Sequence, residues 1–190
     1  MEYQILEYPC LNIIFDDRQP NDYDRLLQEF ERQGIRCYKF WEATVNTCSV
    51  VKSINASHKK IVMWAKEQGL PEVCVAEQDL WFPAEDGWNY YLSKKPKEYD
   101  LYLSSTYIIP IENNKVCGFH LYFVSERFYD QFLSVPDESH IDTAVGDLRG
   151  NFVFCYPFAA LQNPGFSANN KSVVNYNSIL KEQDVYGKFR

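Results

Sequence analysis

The stretch LPEVCVAEQDLWFP, residues 70–83, decides how this chain folds. Its centre, residues 73–76, is a short and unbroken apolar run, without the alternation of a strand that wets one face. Such a run reads as a central strand buried on both faces. It breaks off into two carboxylates, Glu77 and Asp79, one residue apart. In extended backbone, residues i and i+2 point the same way, so both carboxylates can converge on one cation, and hard ions such as Mg²⁺ or Mn²⁺ prefer oxygen ligands. The same pair also suits an acidic turn that closes a strand.

Outward from that strand, strand and helix patterns alternate. Residues 10–15 (CLNIIF) form an apolar, β-branched run, residues 16–22 a polar turn, and an amphipathic helix follows over about 23–33. Gly34 stops it, as a C′ glycine does. A second strand spans 35–40. The next helix spans about 49–68, with Ile54, Ser57, Ile61 and Ala65 on or near one face and Lys52, Lys59, Lys60 and Lys66 mostly elsewhere. Downstream, residues 100–104 are expected beside the central strand. Residues 107–111 and 115–124 flank Glu112-Asn113-Asn114 as a hairpin. Ser125 is placed to cap a helix over 126–133, and a short helix over 141–148 precedes a last strand over 152–156. The remainder reads as loop until a terminal helix near 176–182. This order predicts one domain over 1–190, with its core at about 10–167 and a tail over 168–190. The fold class is α/β, with a mostly parallel central sheet flanked by helices and a small antiparallel hairpin. Ligands bind such sheets beyond the carboxyl ends of the strands, where Glu77 and Asp79 lie.

The composition narrows the partners. With 46% hydrophobic and 16% aromatic residues, the chain can bury a real core. A formal net charge of −7 argues against general nucleic-acid binding, which needs a basic stripe; a local patch from Lys52, Lys59, Lys60, Lys94, Lys95 and Lys97 is the one route left open. An anionic ligand would need a metal or a few placed cations. The six cysteines, Cys10, Cys37, Cys48, Cys74, Cys117 and Cys155, show no CxxC spacing. Several sit in apolar runs, where Cys behaves as a small hydrophobe, so neither a zinc site nor a disulfide framework is expected. The opening MEYQ does not read as a signal peptide and no apolar stretch reaches membrane-spanning length. A reducing, cytoplasmic setting is the expectation.

A set of short motifs then appears in a fixed order. Asn12-Ile13-Ile14, Arg18, Tyr23-Asp24-Arg25, Gly34-Ile35 and Phe40-Trp41-Glu42-Ala43 come first. Ile54-Asn55-Ala56-Ser57-His58-Lys59-Lys60-Ile61-Val62 and Val75-Ala76-Glu77-Gln78-Asp79 follow. This order resembles the LPS-type glycosyltransferases of family 25, which open with a strand and an Arg-bearing turn, carry a Ser-His in a helix and reach an E-D-D at a strand end. Tyr99-Asp100-Leu101-Tyr102-Leu103-Ser104 is similar to the family's D-x-x-x-L-G strand. Gly118-Phe119-His120-Leu121-Tyr122-Phe123-Val124-Ser125 is similar to its T-H-A-Y-x-I-S, and His140-Ile141-Asp142 to its P-x-D. The resemblance covers about residues 11–167. Gln78 stands where the middle acid is usual, Ser104 where Gly is usual, and the chain is short for a complete enzyme of this kind.

The resemblance implies a GT-A, Rossmann-like fold and transfer of a hexose from a nucleotide sugar, UDP-hexose foremost, to a glycan or other hydroxyl acceptor. It implies Mn²⁺ or Mg²⁺ held by Asp79 with help from Glu77, the ion neutralising the diphosphate leaving group. Arg18, Ser57, His58, Glu77 and His120 would serve the donor site, and Asp142 would be the base that an inverting transfer needs. Each residue also has a plain reading. Arg18 is then a solvated turn residue, His58 and His120 buried hydrogen-bonded histidines, and Asp142 a carboxylate at a helix start. Trp81, Phe82, Trp88, Tyr90, Tyr91, Tyr102 and Tyr107 divide between core packing and stacking platforms for a sugar or base. Ser57 and His58 are not a nucleophilic pair, since adjacent helical residues do not face each other; the expected job of the pair is to hydrogen-bond the metal-binding turn or the donor. A non-catalytic GT-A-like binding or interaction module is the competing reading of the whole chain.

Overall fold

The computed structural model describes residues 9–18, 21–46, 48–108, 116–167 and 169–187. The chain runs β1 (Leu11–Phe15), α1 (Asn21–Gln33), β2 (Tyr38–Glu42), α2 (Val50–Glu67), β3 (Glu72–Glu77), β4 (Leu80–Trp81), α3 (Gly87–Ser93), β5 (Leu101–Leu103) and β6 (Leu121–Ser125). It continues through α4 (Tyr129–Leu133), α5 (Ile141–Gly146), β7 (Phe152–Phe154), β8 (Leu161–Gln162), β9 (Gly165–Ser167) and β10 (Ser172–Val174). Six strands form one sheet in the order β2-β1-β3-β6-β5-β7, and β6 alone runs against its neighbours. Two short antiparallel pairs, β9–β10 and β4–β8, lie outside it.

β3 is the buried strand that its apolar run requires. Val73 and Val75 pack with Ile61, Val62 and Ala65 of α2, while Cys74 and Ala76 pack with Leu26 and Phe30 of α1. Helices therefore cover both faces of the sheet, α1 and α3 on one side and α2, α4 and α5 on the other. Gly34 and Gly69 end the two long helices in the left-handed conformation, at φ 68° and 64°, which glycine adopts without a Cβ penalty. Ile35 N donates to Phe30 O at 2.9 Å and Leu70 N to Ala65 O at 3.0 Å across these two stops.

The structure departs from the sequence expectation in several places. β5 is not the neighbour of β3, because β6 lies between them and buries Leu121, Tyr122, Phe123 and Val124. An antiparallel return needs no long crossover, so the chain can slot β6 in directly. The strand expected over 35–40 begins only at Tyr38 and runs to Glu42. Residues 109–115, including the hairpin turn expected at Glu112-Asn113-Asn114, lie outside the described residues; beside them, Tyr107 N donates to Cys117 O at 3.0 Å. Ser125 makes no cap bond, and its hydroxyl is buried without a partner among the described residues. α3 arises in a segment whose aromatic residues read in the sequence as core or stacking groups; Asp86 stands at its N-cap without a side-chain cap bond, and the helix buries Trp88 and Tyr91. The terminal helix is two separate 3-10 turns, Tyr176–Ile179 and Glu182–Asp184.

Three of the six lysines that suggested a local basic patch are paired with acids: Lys52 meets Glu138 at 2.7 Å, Lys59 meets Asp137 at 2.6 Å, and Lys95 pairs with Glu72. Among the described residues, no helix is long and apolar enough to cross a membrane.

One face of α1 holds the chain that follows β3. Arg25, Glu29, Arg32 and Gln33 recur at helical spacing. Arg25 donates to the carbonyls of Gln78 and Leu80. Glu29 accepts from Phe82 N at 3.0 Å, and Arg32 donates to the carbonyls of Phe82 and Ala84 at 2.6 and 3.1 Å. Gln33 donates to Ala84 O at 2.7 Å and accepts from Trp88 N at 2.9 Å. A segment with almost no regular structure is thereby fixed in place. Hydrogen bonds from a charged donor contribute about 1.5–3 kcal/mol each, so Arg25→Ala should cost roughly 2–3 kcal/mol. The urea midpoint measures this at unchanged slope, and an unmoved midpoint would show that the clamp is idle.

Candidate active site

β3 ends at Glu77, and the chain turns through Gln78 and Asp79 into β4. Four groups fix this turn. Arg25 binds two of its carbonyls, Gln78 Oε1 accepts from Asp16 N at 2.7 Å, Gln78 Nε2 donates to Asp22 at 3.3 Å, and Asn163 N donates to Asp79 O at 2.6 Å. Gln78 thus needs one acceptor and one donor. A carboxylate in its place would face Asp22 with like charge.

The turn sets Glu77 and Asp79 in the wall of one cavity of about 570 Å³. Glu77 accepts from His58 Nε2 at 3.0 Å, and His58 Nδ1 lies 2.7 Å from the Tyr122 hydroxyl. In the neutral imidazole, the Tyr122 hydroxyl donates to Nδ1 and leaves the proton on Nε2 for Glu77. Burial pushes the Glu77 carboxyl up, but the hydrogen bond from His58 and the electrostatic pull of His58 and His120 together outweigh it and hold the group below its ordinary range.

Asp79 is in the opposite condition. One of its oxygens accepts from Gln162 Nε2, and the other, Oδ1, is buried with no partner among the described residues. Burial first, and then the charge of Glu77, push its carboxyl up to about 8. A buried carboxylate oxygen without a donor is a costly arrangement. These donors fit a hard divalent ion that completes its shell from phosphates and water, as Mg²⁺ commonly does. Among the described residues, no group of three or more His, Cys, Asp or Glu could hold a metal by itself. An ion here would be bound jointly with its ligand.

The other expected residues divide between places. Ser57 lines the same cavity; it donates to Ser53 O and accepts from Thr44 N, both at 2.8 Å, and so fastens the segment after β2 to α2. Arg18 also lines it, mostly exposed, with its guanidinium forked onto Asp16 at 2.7 and 2.5 Å. His120 lines neither this cavity nor the next. It is buried against Ser105 Oγ at 2.7 Å and Ala160 O at 3.0 Å, and burial lowers its pKa. Asp142, in the first turn of α5, lines a second cavity of about 250 Å³ together with Tyr107, Gly118, His140 and Tyr176. Its carboxylate accepts from Gly118 N at 2.9 Å and from Thr143 N at 2.8 Å. Gly118 has φ 103°, and a Cβ there would meet the Tyr107 ring at 3.0 Å; only glycine brings that N–H to Asp142.

The two cavities adjoin. Glu77 and Gln162 line both, as do Ile54, Ser167 and Asn169. Gln162 is held by a second network. Tyr107 accepts from Gln162 N at 2.8 Å and donates to Asn177 at 3.0 Å, and Asn177 Nδ2 donates to Gln162 O at 2.9 Å. Of the aromatic groups, Phe82, Trp88, Tyr91, Tyr102 and Tyr107 are buried, and Tyr91 stacks on Tyr102 in the core at 4.6 Å. Gln162, Asn177 and the β9–β10 pair carry no signal in the sequence, because they act from elements of two to four residues. Tyr122 stood in the sequence only within the stretch similar to T-H-A-Y-x-I-S, with no role attached to it.

No protein-family model matches the sequence, and no curated protein matches it. Solved structures do share the architecture. One is a glycosyltransferase involved in glycosylation of the major capsid of PBCV-1, with a TM-score of 0.51 and 11% identity over 77% of this chain and 81% of that one. Another is A197 from STIV, with a TM-score of 0.50 and 12% identity over 88% of this chain and 93% of that one. A Drosophila β1,4-galactosyltransferase 7 mutant, solved with manganese, UDP-Gal and xylobiose, overlaps at a TM-score of 0.45 and 13% identity over 95% of this chain and 75% of that one, too low to add to the fold assignment. The chain has a GT-A-like fold, which it shares with glycosyltransferases.

The raised pKa of Asp79 carries a sign. Its folded value lies above the ordinary carboxylate value of 3.8, so the folded chain holds a proton that the unfolded chain has released between those two pH values. Stability must fall as pH rises through that window. The wild-type melting temperature should drop from pH 6 to pH 9 more steeply than that of Asp79→Asn, with a differential on the order of 1–3 kcal/mol. Parallel pH profiles would contradict this.

Proposed function

We propose that this protein is a glycosyltransferase related to family 25, moving a hexose from a nucleotide sugar to a glycan or other hydroxyl acceptor. The observation that carries the reading is the junction of two cavities at Glu77 and Gln162, with the partnerless oxygen of Asp79 on the larger one and Asp142 on the smaller. The larger cavity is sized for a nucleotide and its sugar. Asp79, assisted by Glu77, would hold Mn²⁺ or Mg²⁺, which supplies Lewis-acid stabilisation of the diphosphate leaving group. His58, steadied by Tyr122, keeps Glu77 ionised and aimed. Ser57 shapes the wall near residues 43–46, and Arg18 offers a cation to phosphate if it exchanges Asp16 for the ligand. The acceptor hydroxyl would sit in the smaller cavity, where its oxygen attacks the anomeric carbon, its proton passes to Asp142 and the bond to the diphosphate breaks. Two backbone donors hold Asp142 in orientation for that role. His120 serves from behind, by packing.

The second reading is a binding module that keeps the fold without turnover. Gln78 in place of an acid, and the lack among the described residues of a self-sufficient metal cluster, support it. Calorimetric titration with UDP and then UDP-hexoses, with and without Mn²⁺, separates the cases. The transferase reading expects metal-dependent binding that Asp79→Ala weakens at least tenfold, about 1.4 kcal/mol, together with slow release of hexose from the donor. Binding without any sugar release, across a panel of hydroxyl acceptors, favours the module. No binding of UDP, GDP or CMP overturns both.

A further inference from the structure

Cys10 and Cys37 stand side by side at the entries to β1 and β2. The parallel register sets Leu11 opposite Tyr38, so the two cysteines lie one step before that pair, and Leu11 N donates to Cys37 O at 3.0 Å. Neighbouring strands lie about 4.8 Å apart, within the roughly 4.4–6.8 Å between Cα atoms that a disulfide spans. The two side chains lie close enough for Cys37 to act directly on the Cys10 thiol. Both residues are reduced and half-buried. Cys74, on the other neighbour of β1, is no competitor, because its side chain is buried with Leu11 in the core on α1's side of the sheet.

We propose that Cys10 and Cys37 form a disulfide on exchange with a small-molecule disulfide such as oxidised glutathione, stapling the edge strand β2 to β1. The Cys37 thiolate attacks one glutathione sulfur, breaks the glutathione S–S bond and releases one glutathione thiolate. The Cys10 thiol then gives up its proton and attacks the Cys37 sulfur of the mixed disulfide, forming the protein S–S bond and releasing the second glutathione. The protein loses two protons and two electrons, and the oxidised glutathione gains them. Burial, and then the contact with Cys37, push the Cys10 thiol up to about 12, so Cys10 is the resolving thiol and the second step is the slow one.

The link has a structural use. β2 lies at the sheet edge and pairs with β1 alone, and the chain leaving it supplies Ala43, Thr44, Val45 and Asn46 to the larger cavity. Closing a loop around α1 restricts the unfolded chain and holds that edge. This inference does not depend on the sugar-transfer reading.

The test incubates the full chain with oxidised glutathione to plateau at about pH 8.5, where thiolates are populated, then alkylates it and maps the peptides. The expected product is a monomer with a Cys10–Cys37 linked peptide two hydrogens lighter than the two reduced peptides together. Its melting temperature should rise by about 5 °C or more and return on reduction. Cys10→Ser should instead retain one glutathione on Cys37, and Cys37→Ser should form no internal link and gain no stability. Both thiols still alkylatable at plateau, a link to any other cysteine, or a linked form that melts no higher would overturn the proposal.

Discussion

The site depends on one constraint: the turn after β3 must be held while its two acidic side chains are kept out of the core. Arg25 achieves the first by binding backbone carbonyls, which leaves the carboxylates uncommitted. Gln78 ties the same turn to the end of β1 and the start of α1 with an amide that both accepts and donates. The glutamine that breaks the acidic triplet is therefore part of the scaffold. With the turn fixed, Glu77 and Asp79 take unequal environments, one satisfied by a histidine and the other left with an orphaned oxygen. Adjacent carboxylates with opposed shifts mark functional sites more often than structural ones.

The sequence disclosed the layout where periodicity was strong. The apolar run of β3, the amphipathic spacing of α1 and α2 and the glycine that ends α1 all read correctly, because each is a local signal. The order of strands was less legible. Nothing in residues 100–104 or 121–125 says that the later one inserts between β3 and β5, since both are buried on two faces and look alike. In the site, Glu77 and Asp79 could be singled out from their spacing alone, whereas Gln162 could not: it meets Asp79 across 83 residues of chain, from a strand of two. The pairing of Cys10 with Cys37 was hidden for the same reason, being set by strand register rather than by spacing.

Two of the expected residues show how a shared motif can divide its labour. His58 and His120 each follow from the family resemblance and are both buried, yet His58 reaches the cavity through Glu77 while His120 bonds to Ser105 and Ala160 behind it. Asp142 lies in a separate cavity that adjoins the first. Two cavities that meet at Glu77 and Gln162 would suit a group transfer, and in open α/β sheets ligands bind beyond the carboxyl ends of the strands.

The central claim is that the turn over residues 77–80 presents Asp79 to a cation and its anionic ligand. Amide NMR spectra recorded with substoichiometric Mn²⁺ and UDP test it directly, since the paramagnetic ion broadens the resonances nearest to it. The account predicts that Glu77, Gln78, Asp79, Leu80 and Gln162 broaden first, and that Asp79→Asn abolishes the effect. Broadening centred on exposed acids such as Asp137 and Glu138, unchanged in the variant, would contradict it.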